Sequence, residues 1–450
     1  MEGNLLDKTT IVALSTPPGM SAIALIRLSG EDAITITNKV FNKDILHAKG
    51  YSLHYGSIKN GEKAIDDVVV TIFKGPKSFT GENSVEIACH GSTFIQQSII
   101  ELLLQNGATM AQAGEFSKRA FFNGKMDLSQ TEAIADLIHS TSSAAHQVAM
   151  NQMRGGFSND LKVLREKLIH FASMIELELD FSEEDVEFAD RTELHTLVSE
   201  VIEHVDKLAQ SFKLGNAIKN GVQTVIVGRP NAGKSTLLNG LLNEERAIVS
   251  DIPGTTRDTL EEPLTINGLE FKLIDTAGIR EAKDTIEKLG IERTFEKINQ
   301  SAIVVYLYDV NSTTEEEVEK DLATLNQNAS IVVIANKADL SQNNTVENAI
   351  LVSALKKEGI EEVKSALYNT VVEEGFNLES TIVTNARHYE SLLRTKEDLE
   401  KVINGINSEL SGDFVAMDIR QALHHLGTIT GEISTDELLG NIFANFCIGK

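Results

Sequence analysis

The chain has 450 residues, a length that corresponds to about three domains. Its 42% hydrophobic and 24% charged residues are typical of a globular protein, which excludes a disordered or fibrous chain. The formal charge of -25 excludes broad, non-specific contact with a phosphate backbone. Any nucleic acid would have to meet a local basic patch or be presented by another protein.

The cysteines and the hydropathy of the chain indicate its compartment. Two cysteines, Cys89 and Cys447, are too few for a disulfide framework, which fits a reducing environment. The first ten residues lack the basic segment and apolar run of a signal peptide. No stretch approaches the ~18 uninterrupted apolar residues of a membrane span. We therefore expect a cytoplasmic protein with no membrane partner.

Charge balance and hydrophobic periodicity divide the chain into four parts. Residues 1–120 are nearly neutral, with 11 basic and 12 acidic side chains, and their short β-branched runs predict an α+β domain. Residues 121–215 have helical periodicity with almost no proline. Residues 216–375 alternate strands with helices, and helical spacing returns in residues 376–450. This order predicts one α-helical domain that is interrupted by an inserted α/β domain.

A phosphate-binding loop opens the α/β block. Gly228–Ser235 (GRPNAGKS) follows the predicted strand Gln223–Val227 and precedes the predicted helix Thr236–Leu242, which is the context that a P-loop requires. Its backbone amides and the helix N-terminus would surround phosphate oxygens. Lys234 would reach the terminal phosphates, and Ser235 would offer a hydroxyl to Mg²⁺. The nucleotide-binding candidates in this loop are Asn231, Ala232, Gly233, Lys234, Ser235 and Thr236.

Two further segments are expected to surround the γ-phosphate. The predicted strand Leu269–Ile274 follows Asn267-Gly268, a strong hairpin pattern. After it, Asp275 could hold Mg²⁺ through water, and the Gly278 amide could contact the phosphate. Earlier, one threonine of the segment Ser250–Asp258 should be the second hydroxyl ligand of Mg²⁺. The carbonyl oxygens of that segment could also hold another hard cation. The candidates in the two segments are Ser250, Asp251, Ile252, Pro253, Gly254, Thr255, Thr256, Asp275, Thr276, Ala277 and Gly278.

The base is predicted to be guanine. The predicted strand Ile331–Ala335 leads into Asn336-Lys337-Ala338-Asp339. The Asp339 carboxylate could accept hydrogen bonds from guanine N1–H and the amino group, a donor pair that adenine lacks. Residues that would complete the base pocket follow the next predicted strand and are Ser353, Ala354 and Leu355.

The glutamine that orients the attacking water in many GTPases is absent here. Ile279 follows Gly278, and its aliphatic side chain cannot orient water. Either hydrolysis is slow or another residue takes this role. The residues alone leave three acidic candidates open: Glu281, Asp284 and Glu287.

The motifs together resemble the tRNA-modification GTPase family called MnmE or TrmE. The central motifs that carry the resemblance are GRPNAGKS, DIPGTTRD (251–258), DTAGIR (275–280) and NKAD (336–339). The flanking motifs are TPPG (Thr16–Gly19), SFTGE (Ser78–Glu82), RAFFNGKMDL (Arg119–Leu128) and the C-terminal FCIGK (446–450). The resemblance covers the whole chain and implies a folate-binding-like N-terminal domain, a helical domain and an inserted Ras-like GTPase domain.

For the GTPase domain, the resemblance implies a K⁺-stimulated enzyme that dimerises across its G domains. Thr256 would be the switch ligand of Mg²⁺. Glu287 matches the family's catalytic glutamate, which is positioned through a bridging water. The family usually has threonine where this chain has Ser250. The implied K⁺ ligands are Asn231, Ser250, Ile252 and Thr255.

For the N-terminal domain, the resemblance implies a homodimer that binds 5-formyl-tetrahydrofolate or a related folate. The positions that match the family's folate contacts are Arg27, Glu86, Lys125 and Lys450. Cys447 matches a C-terminal cysteine of the family. Its catalytic or redox role and a small side chain near a pocket remain equal alternatives.

The implied reaction adds a carboxymethylaminomethyl or aminomethyl group to C5 of the wobble uridine (U34) of certain tRNAs. The implied partner is the FAD-containing, NADH-using protein MnmG, which would form a heterotetramer with the chain and hold most of the tRNA. The alternative is a GTP-driven conformational switch in ribosome assembly or signalling, without one-carbon chemistry. Folate binding would discriminate between the two, because a switch needs no one-carbon carrier.

Overall fold

A computed structural model of the chain describes residues 9–180, 191–242, 261–275, 302–325, 329–340, 345–372, 381–408, 410–444 and 446–449. The chain forms two compact units. The first comprises Met1–Ile138, Gln152–Leu197 and Asp398–Lys450, and the second comprises His139–Asn151 and Val198–Glu397. None of the helices in the described ranges has the length and apolar character needed to cross a membrane.

The described elements are as follows in chain order. The strands are β1 (Ile11–Leu14), β2 (Ile23–Ser29), β3 (Ser52–Asn60), β4 (Lys63–Phe73), β5 (Ser84–His90), β6 (Thr109–Met110), β7 (Val222–Gly228), β8 (Glu261–Ile266), β9 (Leu269–Asp275), β10 (Ile303–Asp309), β11 (Ser330–Asn336) and β12 (Ile350–Val352). The helices are α1 (Ala33–Val40), α2 (Thr93–Gln105), α3 (Glu115–Phe122), α4 (Leu128–His139), α5 (Ser143–Met153), α6 (Gly156–Asp180), α7 (Arg191–Gln210), α8 (Phe212–Asn220), α9 (Lys234–Leu242), α10 (Glu315–Leu322), α11 (Ile360–Val371), α12 (Ala386–Asn407), α13 (Gly412–Thr430) and α14 (Asp436–Ala444).

The first unit contains a six-stranded sheet in the order β3-β4-β5-β2-β1-β6. Neighbouring strands are antiparallel except for β1 and β6, which are parallel. Ala24, Ile26 and Leu28 of β2 point to one face and are fully buried in the core that α1 and α2 cover. Because side chains alternate along a strand, Arg27 lies on the opposite face.

Helices complete the first unit. α13 packs along α6, and two ion pairs connect neighbouring helical segments: Arg420 with Glu176 at 2.7 Å and Arg165 with Glu432 at 2.9 Å. Both pairs have an exposed partner, so the apolar contacts between the helices supply most of the stability.

The second unit is a doubly wound α/β fold with the strand order β12-β11-β10-β7-β9-β8. All neighbours are parallel except for β8, which pairs antiparallel with β9 at the edge. Alternate residues of β10 enter two different cores, Val305 on one face and Val304 on the other. Helices α5, α8, α9 and α11 contribute to the first core, and α10 contributes to the second. Burial on both faces explains why β10 is a nearly continuous apolar run.

The hairpin predicted at Asn267-Gly268 is confirmed. The two residues connect β8 to β9 with φ values of 49° and 84°, the left-handed conformations of a type I′ turn. Glycine is also required by space, since a Cβ at Gly268 would lie 2.5 Å from Ser143 Oγ. The predicted fold class, an α+β domain, a helical domain and a Ras-like α/β domain, is confirmed. The boundaries at residues 120, 215 and 375 stay predictions.

Candidate functional site

The P-loop connects β7 to α9 as the sequence predicts. Between them, Asn231 has a φ of 61° and Gly233 a φ of 97°, both in the left-handed region. These values turn the chain sharply before the first turn of α9, where Ser235 is exposed. The turn also runs close to its neighbours, because a Cβ at Gly233 would lie 2.3 Å from the amide nitrogen of Asn336. The backbone amides at the positive end of α9 therefore form an anion-binding loop.

Lys234 lies against the carbonyl side of this loop. Its Nζ donates to Gly228 O at 2.8 Å and to Arg229 O at 3.1 Å. These two backbone carbonyls of the loop therefore fix the Lys234 ammonium in place. This is the position from which a P-loop lysine reaches the terminal phosphates of a nucleotide.

Asn336 joins the phosphate-binding loop to the loop that is predicted to bind the base. Its amide nitrogen donates to Ala232 O at 2.7 Å, and its Oδ1 accepts from Ala354 N at 3.0 Å. The side chain is only 3% exposed. Both ends of the Asn336 amide therefore form hydrogen bonds, to two backbone groups that are far apart in the chain. Asn336 was predicted as a base contact, and its role as a brace could not be inferred from the motif.

Asp339 is held in place by two side chains of the neighbouring loop. Ser353 Oγ donates to Asp339 Oδ1 at 2.8 Å, and Lys356 Nζ lies 3.7 Å from Oδ2. The hydrogen bond from Ser353, with the charge of Lys356 as a smaller contribution, lowers the pKa of Asp339 below its ordinary value of 3.8. The carboxylate is therefore an ionised acceptor at neutral pH. Leu355 is 82% exposed on this loop, where it is available to a ligand.

Lys337 occupies a left-handed conformation with a φ of 64° and forms an ion pair with Asp309 at 2.7 Å. Burial raises the pKa of Asp309, but hydrogen bonds from Lys337 and Asn311 outweigh it, so the pKa of Asp309 is lowered. Sequence reasoning missed Asp309 and Asn311. The position of Asp309 at the carboxyl end of a parallel strand was the pattern that could have revealed it.

Asp275 ends β9 at the same edge of the sheet. Its Cα pairs with that of Ile226 in β7, two residues before the P-loop begins at Gly228. The parallel pairing of the two strands therefore brings the backbone of Asp275 beside the phosphate-binding loop.

In the first unit, Arg27 and Glu86 form an ion pair across two strands. Arg27 Nη2 lies 2.8 Å from Glu86 Oε1, and their Cα atoms are register partners of β2 and β5. The guanidinium lies 5.5 Å from the ring centre of Phe79 and 5.8 Å from that of Phe116. An ion pair whose guanidinium lies near two aromatic rings suits a flat, polar ligand with both donors and acceptors.

Lys125 contacts the segment that carries Phe79. Its Nζ donates to Pro76 O at 2.9 Å, and its side chain packs beside Gly81. Sequence reasoning missed Arg119, which is 1% exposed and pairs with Glu82 at 3.2 Å. This buried pair connects the motifs Ser78–Glu82 and Arg119–Leu128, which the sequence singled out separately.

The two cysteines have different surroundings. Cys89 is buried in β5, and burial, followed by the charge of Asp66, raises the pKa of its thiol to about 11. Cys89 is therefore a protonated core residue. Cys447 is exposed, and its carbonyl accepts from Gly114 N at 3.4 Å. Neither alternative for Cys447 is decided by this position.

Comparison with known proteins gives a full-length match. The chain is 55% identical over 449 residues to the tRNA modification GTPase MnmE of Cytophaga hutchinsonii, with 98% of each chain covered. It is 52% identical over 466 residues to that of Flavobacterium johnsoniae, with 99% of this chain and 100% of the relative covered. The chain belongs to the MnmE family of tRNA modification GTPases. The predicted resemblance is confirmed.

Two family models match the parts of this MnmE-family chain. The model of the GTP-binding protein TrmE N-terminus matches residues 10–125, and the model of the MnmE helical domain matches residues 128–447. Among solved structures, the FeoB G-domain from Methanococcus jannaschii is similar at 25% identity over 33% of this chain and 96% of that chain, with a TM-score of 0.25.

Several MnmE-family positions lie outside the described residues. They include the remaining switch residues, the proposed catalytic glutamate and the last folate position: Ser250, Asp251, Ile252, Pro253, Gly254, Thr255, Thr256, Thr276, Ala277, Gly278, Glu287 and Lys450. Their roles stay predictions. The described residues bring Asn231, Ala232, Gly233, Lys234 and Asn336 into one loop system, and Asp339, Ser353 and Ala354 into another that Asn336 connects to it.

Proposed function

We propose that this GTPase modifies C5 of wobble uridine (U34) in certain tRNAs, adding a carboxymethylaminomethyl or aminomethyl group with a one-carbon unit from tetrahydrofolate. A flavin-dependent partner of the MnmG type would take part in the reaction. The observation that carries the proposal is the match to MnmE relatives over 98% of the chain, which includes both the nucleotide site and the N-terminal unit.

For GTP hydrolysis, the geometry of the P-loop supports phosphate binding. Ser235, exposed on the first turn of α9, and Thr256 would hold Mg²⁺ between the phosphates. Lys234 would bind the terminal phosphates from its position above the loop carbonyls. Glu287 would orient the attacking water through a second, bridging water, since Ile279 cannot do so.

We further propose that hydrolysis is stimulated by K⁺. The ligands would be Asn231, Ser250, Ile252 and Thr255, which offer oxygen atoms of the type that hard cations prefer. Asn231 supports this assignment, because its left-handed backbone lies within the phosphate-binding turn. A monovalent cation there would offset the negative charge that develops between the phosphates.

Guanine selectivity would depend on Asp339. Its carboxylate, ionised and oriented by Ser353, would accept from N1–H and the amino group of the base. Adenine lacks this donor pair, so the carboxylate would lose two charge-assisted hydrogen bonds to the base.

A folate would occupy the aromatic and charged face of the first unit. Glu86 would accept hydrogen bonds from the pterin ring, and Arg27 would bind beside it between Phe79 and Phe116. Lys125 and Lys450 would pair with the acidic tail of the folate. These residues fit 5-formyl-tetrahydrofolate, because the ligand combines a flat donor-acceptor ring with carboxylates.

The same face supports a homodimer. Leu53 and Tyr55 of the edge strand β3 are 67% and 61% exposed, and β-sheet register places Leu53 in one row with Thr71, Glu86 and Arg27. Paired residues of neighbouring strands point to one face, so the exposed Leu53 and Tyr55 lie on the same face as the charged pair. A second copy would cover them, and the heterotetramer with the flavin protein would add the larger part of the tRNA surface. This function implies a cytoplasmic location.

The test is mass spectrometry of tRNA nucleosides from cells that lack the chain. We expect the C5-modified wobble uridines to disappear and to return when the wild-type gene is supplied. Complementation with Asp339→Asn should fail, whereas Glu319→Gln, an exposed change on α10, should restore the modification. Unchanged wobble uridines in the deletion would overturn the proposal and favour the conformational switch in ribosome assembly or signalling.

A further inference from the structure

Arg229, the second residue of the P-loop, extends its side chain to α10. Its Nε lies 2.7 Å from Asp321 Oδ2, and its Nη1 lies 2.7 Å from Glu317 Oε1. Nη2 makes longer contacts of 3.4 Å with both residues. The guanidinium therefore binds two carboxylates with its planar set of donors, a geometry that lysine cannot reproduce.

Both carboxylates are fixed by groups other than Arg229. Tyr306, 3% exposed in β10, donates its hydroxyl to Asp321 Oδ2 at 2.7 Å. Glu317, the third residue of α10, accepts from the backbone N–H of Thr314 at 3.0 Å and so completes the capping box that begins the helix. Burial, followed by Asp321, raises the pKa of Tyr306, so its hydroxyl remains a donor at neutral pH. Asp321 and Glu317 thus form a rigid receptor for the arginine.

The backbone of Arg229 is part of the phosphate-binding turn. Its carbonyl accepts from Ala232 N at 3.3 Å and from Lys234 Nζ at 3.1 Å. One residue therefore connects α10, through its side chain, to the carbonyl that fixes the phosphate-binding lysine. A displacement of this carbonyl would move the lysine and the amide of Ala232 together.

We propose that Arg229 is a positioning residue for nucleotide phosphate: its attachment to Asp321 and Glu317 holds the P-loop in the conformation that binds phosphate. The inference rests on the GTP site of the proposed function. It makes no use of folate, flavin or tRNA chemistry, so it is tested by nucleotide binding alone.

The experiment measures GDP affinity of the full-length chain by calorimetry, together with its melting temperature without nucleotide. Arg229→Met keeps much of the apolar stem and removes the charge, and we expect it to lower GDP affinity by ~10-fold, the scale of a lost charged hydrogen bond. Asp321→Asn should weaken binding in the same direction. The double variant should be no weaker than Arg229→Met alone, because the two changes remove one interaction. Arg229→Lys should recover part of the loss.

The matched control is Glu319→Gln, which removes an exposed charge from the same helix and should leave GDP affinity within about twofold of wild type. Tyr306→Phe keeps the arginine and removes only the hydroxyl that orients Asp321, and it should weaken GDP binding by a smaller factor. It also serves as the test if Arg229→Met does not fold. If Arg229→Met binds GDP with wild-type affinity, the proposal is overturned and the ion pair is purely structural. If Arg229→Met is unfolded, wild-type GDP affinity in Tyr306→Phe leads to the same conclusion.

A failure of the proposed function is distinguishable from a failure of this inference. If wobble uridines are unchanged in deleted cells but Arg229→Met loses GDP affinity, the positioning role holds and the tRNA role does not. If Arg229→Met binds GDP normally while the modification depends on the gene, the opposite conclusion follows.

Discussion

Replacing Asn336 with alanine should destabilise the second unit even without nucleotide. The change removes the partner of Ala232 O and the partner of Ala354 N, two groups in a region where Asn336 itself is 3% exposed. A buried polar group that loses its partner costs about 1–3 kcal/mol, so two of them should lower the free energy of unfolding by about 2–6 kcal/mol. The lower end applies if water enters the space left by the amide.

Hydrogen exchange followed by mass spectrometry is the suitable assay. Peptides from β7, β10 and β11 report on the second unit alone, so the first unit does not obscure the result. The nucleotide-free protein is compared with Asn336→Ala and with a control, Asn220→Ala. Asn220 is exposed at the end of α8, where its amide nitrogen donates to Asn216 Oδ1 at 2.7 Å.

The control should change the free energy of exchange by less than about 0.5 kcal/mol, as is usual for a surface position. If Asn336→Ala is also within about 0.5 kcal/mol of wild type, the two hydrogen bonds do not stabilise the nucleotide-free unit. The brace interpretation of Asn336 would then be wrong, and the residue would act only through bound nucleotide.

Three further predictions concern GTP binding and turnover. Asp339→Asn should weaken GTP binding and favour xanthosine triphosphate, and equal wild-type affinity for ATP and GTP would refute the pocket. Because Ser353 lowers the pKa of Asp339 below 3.8, the carboxylate stays ionised between pH 8 and pH 5, and wild-type GTP affinity should not fall through its loss in that range. Phosphate release should be faster in K⁺ than in Na⁺ at equal ionic strength, and Asn231→Ala should remove the difference; identical wild-type rates in both salts would exclude a specific cation site. Glu287→Ala should lower kcat by ~10²-fold with GTP affinity nearly unchanged, the scale for a positioned acid–base group. If turnover of this variant stays within about threefold of wild type, the loss is far below that scale. Glu287 would then not orient the water, and Glu281 or Asp284 would be the residue to test.

Local patterns predicted the parts of the site that depend on neighbouring residues. The P-loop turns between a strand and a helix because asparagine at position 231 and glycine at position 233 accept left-handed backbone, a property of those residues alone. The hairpin at Asn267-Gly268 follows for the same reason. Short-range chemistry decides such features, so a single sequence is sufficient to place them.

Contacts between distant segments could not be predicted in this way. The ion pair of Arg27 with Glu86 requires the register of β2 against β5, and a shift by one residue would place the two side chains on opposite faces. The attachment of Arg229 to Asp321 requires β10 to lie beside β7, an order that the motifs do not encode. For Arg27 and Glu86 the sequence identified both residues but not their pairing, and for Arg229 and Asp321 it identified neither residue.

Asn336 and Arg229 hold the same short loop from two directions. Asn336 binds Ala232 O from the side of the base pocket, and Arg229, whose own carbonyl accepts from Ala232 N, connects the loop to α10. Because both backbone groups of Ala232 are engaged in this way, the P-loop is restrained before any phosphate arrives. Less conformational entropy is then lost when the nucleotide binds. The loop that we propose binds the base shares this restraint through Ala354, so changes at Asn336 should affect affinity for phosphate and selectivity for guanine together.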